Sequence, residues 1–415
     1  MKRIYKTIIV LVASCVGLSV HAETLSLEQC ISQALANNLQ MKNCSLAVSE
    51  AKAMQGTTFD VEQTGITLKQ SPVSGGGTEN GVVFSQSFDF PTVYVARHKA
   101  LKALTAVAES EQSLFRNALI KEVSLGYYRW LYVRQKERIL MSQDSVYADF
   151  LRLASVKYSA GETSQLEQMN AQRLLSENRM ALKKVQNEEA SAKMALLRLL
   201  HLTDTEDITP ADNTLEAIQG EPVAMGADFS ATPLGANYDA RINSSEREVS
   251  LAKQGFAPKL SVAFTTQAVI QSYNPYKVDR SRFEQGNFMG FEVGVSVPLF
   301  FGSQLSRVKA AGKALERVRN ERTIASEQMQ TQWREAYDEY LRAKQALAYY
   351  TEQGNAQAVE LRRIAQVTYE NAEISYVEYI QNLISALDEQ LRYCDALNDY
   401  NISIINLNYL NGNDR

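Results

Sequence analysis

The chain has 415 residues, 45% apolar and 22% charged, with a mean hydropathy of −0.26. That composition excludes a disordered or collagen-like chain, and a formal charge of −4 with no basic block argues against nucleic acid as the main partner. Three histidines and four cysteines, with no cluster joining them to acids, leave little for an enzyme, so no catalytic, metal or cofactor site is expected.

In chain order, Lys2, Arg3 and Lys6 precede an apolar stretch from Ile8 to Val20, and Val20-His21-Ala22 stands before Glu23. A basic start, a short apolar run and small residues at its end describe a secretory signal cleaved between Ala22 and Glu23. A lipoprotein signal at Cys15, after Val12-Ala13-Ser14, is the alternative, although apolar residues continue past that cysteine. Losing three basic residues would take the formal charge from −4 to −7. Beyond this segment no uncharged apolar run approaches the ~18–20 residues of a spanning helix. Cys30 and Cys44, 14 residues apart on one predicted helix, would stand ~21 Å apart, too far for a disulfide.

Two β-like segments follow. Thr58 to Gln70 alternates poorly; Val82, Phe84, Phe88 and Phe90 alternate with Val83, Ser85, Ser87 and Asp89. A second pair lies at Leu260 to Ile270 and Met289 to Leu299, where Val262, Phe264, Phe291, Val293 and Val295 alternate with small or polar residues. Period-two runs of about ten residues fit strands with lipid on one face and water on the other, and equally a half-buried sheet in a soluble domain. The enclosed loops are Ser71 to Asn80 and Ser272 to Asn287; Tyr273, Tyr276, Phe283 and Phe288 flank the second as a candidate interfacial belt.

No proline falls in 92–209 or 299–415, which permits very long helices. The first is predicted from Thr92 to Lys157, ~99 Å, the second from Gly302 to Thr368, ~100 Å. Ser159-Ala160-Gly161 breaks the first, with Thr163 or Ser164 placed to cap a return helix, and Glu370-Asn371-Ala372 breaks the second. At an offset of 211, Ala154, Val156, Tyr158, Glu162, Ser164 and Glu167 meet Ala365, Val367, Tyr369, Glu373, Ser375 and Glu378, six identities in fourteen positions. The chain therefore reads as a tandem duplication: a signal in 1–22, a first repeat in 23–201, an irregular connection in 202–240 and a second repeat in 241–415. Each repeat holds a helix, two strands and a long helical hairpin.

Four strands cannot close a membrane barrel, and an open sheet edge is not tolerated in lipid. Strands that span a membrane would thus need several copies to close one barrel jointly, eight strands from a dimer or twelve from a trimer. Several hairpins around one axis would extend it as a hollow helical tube, while the helices alone would also satisfy a soluble coiled-coil bundle.

The chain resembles the TolC family of outer-membrane efflux proteins over essentially its whole mature length. The resemblance rests on Leu25-Ser26-Leu27-Glu28-Gln29-Cys30 with Ala34-Leu35-Ala36-Asn37-Asn38, on Ala257-Pro258-Lys259-Leu260, on Val297-Pro298-Leu299-Phe300-Phe301-Gly302, and on the tip from Tyr158 through Gly161 to Leu166. It implies a mostly α fold with membrane β: a homotrimer whose four strands per chain complete a twelve-stranded barrel in the outer membrane of a Gram-negative bacterium, above a long periplasmic helical barrel. It also implies outer-membrane lipid contact, a periplasmic adaptor (membrane fusion protein) and an inner-membrane pump of the resistance–nodulation–division or another class. By position, Glu378 stands where relatives carry an aspartate of the periplasmic gate, and Gln381 stands where a second aspartate can occur. Converging Glu378 carboxylates would raise one another's pKa; capping the return helix is the simpler role for that residue. The adaptor would dock on Gly161, Glu162, Thr163, Ser164, Ala372, Glu373, Ile374 and Ser375. The segment Ser85 to Tyr94 is similar to outer-membrane partners of heavy-metal pumps, which places heavy-metal cations beside drugs, bile salts or secreted protein as expected cargo. The alternatives are the outer-membrane duct of a type I protein secretion system and a secreted helical scaffold or adhesin.

Overall fold

The computed structural model describes residues 23–72, 78–202, 208–220, 228–269, 287–371 and 373–412. In chain order the elements are β1 (Glu23–Leu25), α1 (Leu27–Asn37), α2 (Leu39–Met54), β2 (Gly65–Pro72), β3 (Thr78–Asp89), α3 (Pro91–Ser159) and α4 (Gln165–Leu200). There follow β4 (Ile208–Pro210), α5 (Pro233–Lys253), β5 (Lys259–Val269), β6 (Asn287–Ser296), α6 (Gly302–Tyr349), α7 (Asn355–Glu370) and α8 (Tyr376–Asn411). The signal segment with Ala22 and Cys15, both strand-enclosed loop centres and Ala372 lie outside the described residues.

Several boundaries differ from the sequence expectation, each for a local reason. The single helix expected to carry Cys30 and Cys44 is two helices. Asn38 is extended at φ −60 and ψ 123, and its side chain accepts the Gln40 and Met41 amides, which starts α2. Both cysteines are free thiols. The first strand begins at Gly65 rather than near Thr58. The Thr57 and Thr58 hydroxyls donate to the Met54 and Gln55 carbonyls at 2.7 and 2.6 Å, holding Gln55–Phe59 in a 3₁₀ turn. In the segment read as irregular, β4 pairs in parallel with β1, and α5 starts at Pro233. There Thr232 accepts the Gly235 amide at 3.1 Å and proline occupies the first turn, where its missing N–H costs nothing. Gly235 is obligatory, since a Cβ there would stand 1.8 Å from the Phe229 carbonyl oxygen.

Two compact units result. The first comprises Met1–Ala34, Val123–Glu216 and Gln357–Asn398. Here aromatic side chains bury their rings and carry their polar tips to acids on neighbouring segments. Tyr127 donates to Asp212 at 2.7 Å, Trp130 to Glu189 at 2.6 Å and Tyr132 to Asp395 at 2.7 Å. Two buried amides are also satisfied, Asn178 on the Leu140 carbonyl and Gln143 on the Leu387 carbonyl. The buried apolar cluster runs through Phe150, Leu174, Leu175, Leu383 and Leu387; full burial of each leucine is worth about 1.5–3 kcal/mol.

The second unit comprises Leu35–Glu122, Ala217–Ala356 and Asp399–Arg415. Its sheet is antiparallel in the order β2-β3-β5-β6. Below the sheet, α5 is tied to α6 by Arg241–Glu321, Arg319–Glu246 and Arg322–Asp239 at 2.7, 2.8 and 2.7 Å. A second cluster gathers Trp333, Tyr340, Ile404 and Leu407. The two long helical stretches also differ. The 69 residues of α3 are one unbroken helix, whereas α6 and α7 are separated by a π turn at Tyr350–Gly354.

Candidate functional site

Two places combine unusual chemistry with exposure. The first is the sheet of the second unit. Its register sets Ile66 opposite Phe84, Phe84 opposite Phe264, and Phe264 opposite Phe291; the flanking rows bring in Val82, Leu260, Val262, Met289, Val293 and Val295. Directly opposed residues share a face, so these side chains form one apolar surface, interrupted by Gln86 and Thr266. It is uncovered: Phe291 is 82% exposed and Val293 67%. The other face carries Ser85, Ser87, Ser261, Thr265, Glu292 and Ser296. Among the described residues, the outer edges of β2 and β6 pair with no strand.

Where the strands meet the helices, Arg97 pairs with Asp89 at 2.8 Å and Lys259 with Glu62 at 2.5 Å. Phe59 packs on Tyr94 and Phe256 on Phe301, with centroids 5.4 and 6.0 Å apart, and Phe300 is 91% exposed. A charged collar with outward aromatics at the end of an apolar band matches the boundary between hydrocarbon and water. Within the expected belt around the second loop, Tyr273, Tyr276 and Phe283 lie outside the described residues.

The second place is the pair of hairpin turns in the first unit. Between α3 and α4, Gly161 takes φ +77 in open space, and the Glu162 amide donates back to the Lys157 carbonyl at 2.9 Å. Between α7 and α8 the Glu373 amide closes the same pattern on the Thr368 carbonyl at 2.8 Å. The turn holding Ala372 therefore keeps the equivalent closing bond of the first. Of the expected docking residues, Gly161, Glu162, Ser164, Glu373 and Ser375 are exposed, while Thr163 and Ile374 are half-buried.

The helix starts differ. Ser164 caps α4 by position with no side-chain bond, and the Thr163 hydroxyl instead donates to the Glu167 carboxylate. At α8 the motif is complete. Ser375 donates its N–H and hydroxyl to Glu378 Oε2, both at 2.9 Å, and the Glu378 amide donates to Ser375 Oγ at 3.3 Å. The Ser375 amide and hydroxyl thus hold the Glu378 pKa below its ordinary value of 4.5. In one chain the shift is downward; a rise would require other copies of the carboxylate nearby. Gln381 is exposed one turn further on the same side of α8.

The sequence reading missed the aromatic lattice that joins the two turns. Tyr369 stacks on Tyr379 at 4.5 Å, Phe150 meets Tyr376 and Tyr379 at 5.6 and 5.4 Å, and Lys157 lies 4.2 Å over the Tyr369 ring. The Tyr376 hydroxyl donates to the Glu167 carbonyl at 3.2 Å, and burial pushes the Tyr376 and Tyr379 phenols up to about 12. Only the recurrence of Tyr158 at Tyr369 hinted at it. Among the described residues, no group of three or more His, Cys, Asp or Glu side chains could hold a metal, and no helix is long and apolar enough to cross a membrane.

No protein-family model matches the sequence, and no curated protein matches it. Solved structures do. The outer-membrane channel OprN superposes with a TM-score of 0.77 at 16% identity, over 93% of this chain and 90% of that one. The CmeC outer-membrane channel of Campylobacter jejuni gives 0.75 at 14% identity, over 94% and 86%. CusC, described by its transmembrane channel formation, gives 0.75 at 16%, over 93% and 91%. Likeness at this identity and over this length establishes architecture, and the chain has the fold of the TolC-like outer-membrane channels.

Proposed function

We propose that this chain is one subunit of an outer-membrane exit duct of a tripartite efflux system. The observation that carries this reading is the open four-stranded sheet. It is apolar and uncovered on one face, mostly small or polar on the other apart from Val83, and its outer edges pair with no strand among the described residues. A bilayer accepts such a sheet only when every edge is paired, and four strands are too few to close on themselves. Three copies would pair β6 of each with β2 of the next and give twelve strands, in a homotrimer. Ser85, Ser261, Thr265 and Glu292 would then face a water-filled interior. The collar at Asp89, Arg97, Glu62 and Lys259 would mark the periplasmic boundary.

In this reading the hairpin turns are where the duct meets its partner proteins. Gly161, Glu162, Thr163, Ser164, Ala372, Glu373, Ile374 and Ser375 would receive the periplasmic adaptor, with an inner-membrane pump of the resistance–nodulation–division class behind it. Glu378 and Gln381 would ring the gate. The depressed pKa of Glu378 supports a carboxylate that is ionised at neutral pH and favours cations, with heavy-metal cations as the proposed cargo. A duct has to release what it passes, so it requires no tight cargo site.

The test is edge pairing between copies. Leu68→Cys on β2 combined with Val293→Cys on β6, in protein extracted from the outer membrane, should give oxidised ladders ending at three subunits, whereas either single variant should not. A lone subunit, monodisperse without detergent, would sink the proposal and favour a secreted scaffold.

A further inference from the structure

On the helical side of the sheet, α2, α3 and α5 of the second unit flank an open groove of about 610 Å³, whose charged lining residues are exposed. That volume lies within the range of small-molecule sites. Its lining is basic in a chain whose formal charge is −4. Lys52 comes from α2, Lys99 and Lys102 from α3, and Arg247 from α5. On α3, Lys99, Lys102, Ala106 and Glu109 follow at steps of 3, 4 and 3, so they share one face. Ala103 and Ala106 also line the groove, with side chains much shorter than those of the cations.

The charges do not cancel. Lys52 is matched by Glu109 at 2.9 Å. Among the described residues, Lys99, Lys102 and Arg247 make no ion pair, although acids are more numerous than bases in the chain as a whole. Lys99, Lys102 and Arg247 are exposed at the groove, so water and salt screen their mutual repulsion, and an anion seated between them would relieve the remainder. The neutral polar lining divides its donors. The Gln55 amide is already given to Thr105 Oγ1 at 2.7 Å, while Asn243 also lines the groove with its amide.

We infer that this groove is a binding site for a phosphate-bearing anion of two or three negative charges. A planar guanidinium grips two oxygens of such a group, and two ammonium groups supply point charges to the rest. The charge left after the Lys52–Glu109 pair matches a pyrophosphate or phosphomonoester better than a single carboxylate. The site lies close in sequence to the strand ends at Gly65, Asp89 and Lys259, so two sources share this chemistry: a soluble phosphate compound and a phospholipid headgroup. Neither requires the chain to conduct, and the binding test is independent of the duct.

The detergent-purified full chain is titrated calorimetrically at low salt with pyrophosphate and, separately, with dihexanoyl phosphatidic acid, a phosphomonoester lipid. Saturable binding of pyrophosphate, weakened about tenfold or more in Lys102→Gln/Arg247→Gln, supports a soluble ligand. The same loss with the lipid alone supports a headgroup. Lys309→Gln, an exposed cation on α6 outside the groove, should leave either affinity unchanged. Absence of saturable binding of both ligands, or an equal loss in Lys309→Gln, overturns the assignment.

Discussion

The two hairpin turns share a sequence pattern and are held differently. Both read Ser-x-x-Glu at the return helix, Ser164 to Glu167 and Ser375 to Glu378. Only the second forms a reciprocal capping box; in the first, Thr163 takes the carboxylate. The residue before the cap decides. Its counterpart in the second turn is Ile374, which has no hydroxyl to compete and packs on the buried cluster instead. The aromatic residue they share diverges too. Tyr158 is 41% exposed and Tyr369 only 5%, because the stacking partner Tyr379 has Gln168 as its equivalent at the first turn. A shared motif therefore predicts a turn but not its bonding, which depends on one neighbour outside the motif.

The strongest blow to this asymmetry should come from beneath it. Leu383, 1% exposed in the cluster under the turns, should cost about 2–5 kcal/mol when replaced by alanine, read as a lowered denaturation midpoint. Amide exchange should rise in both turns together; a rise in one alone would show that they do not share a core. Next in size is Gly161→Ala. The space is open but φ is +77, so the cost should be about 1–2 kcal/mol from backbone strain, again read from the midpoint. Thr163→Ile tests the competing hydroxyl directly. It should release Glu167 to Ser164 and slow exchange of the Ser164 amide about fivefold, as one new hydrogen bond would. No slowing would mean that the difference lies elsewhere.

The smallest effect is the pH dependence of the second cap. The Glu378 pKa is depressed in the folded chain, so its contribution is present above the ordinary value of 4.5 and is lost as pH falls through the lower folded value. Exchange of the Ser375 amide, corrected for intrinsic rate, should accelerate over that acid window and stay flat above it. Glu378→Gln should abolish the step, and an upward-shifted step in the assembled protein would reveal converging carboxylates.

Much of the fold is written locally. Pro91 followed by a long proline-free run gives α3, and the alternation of Val262, Phe264, Phe291 and Val293 gives β5 and β6. Other boundaries were illegible because small polar side chains redirected the backbone. Asn38 divides α1 from α2, Thr57 and Thr58 wind a turn where a strand was expected, and Thr232 starts α5 inside a proline-rich segment. The basic groove was hidden for another reason. Lys52, Lys99 and Arg247 are far apart in the chain, and no periodicity links them.

The sequence by itself determined element type, because periodicity and proline placement act through the backbone within a few residues. It also marked the turn at which Gly161 takes a positive φ. Only tertiary structure decided which face of the sheet is apolar as a continuous surface, which tyrosine is buried and where the cations converge. Those outcomes depend on register and on packing between segments distant in the chain, where a side chain's role is set by what lies opposite it.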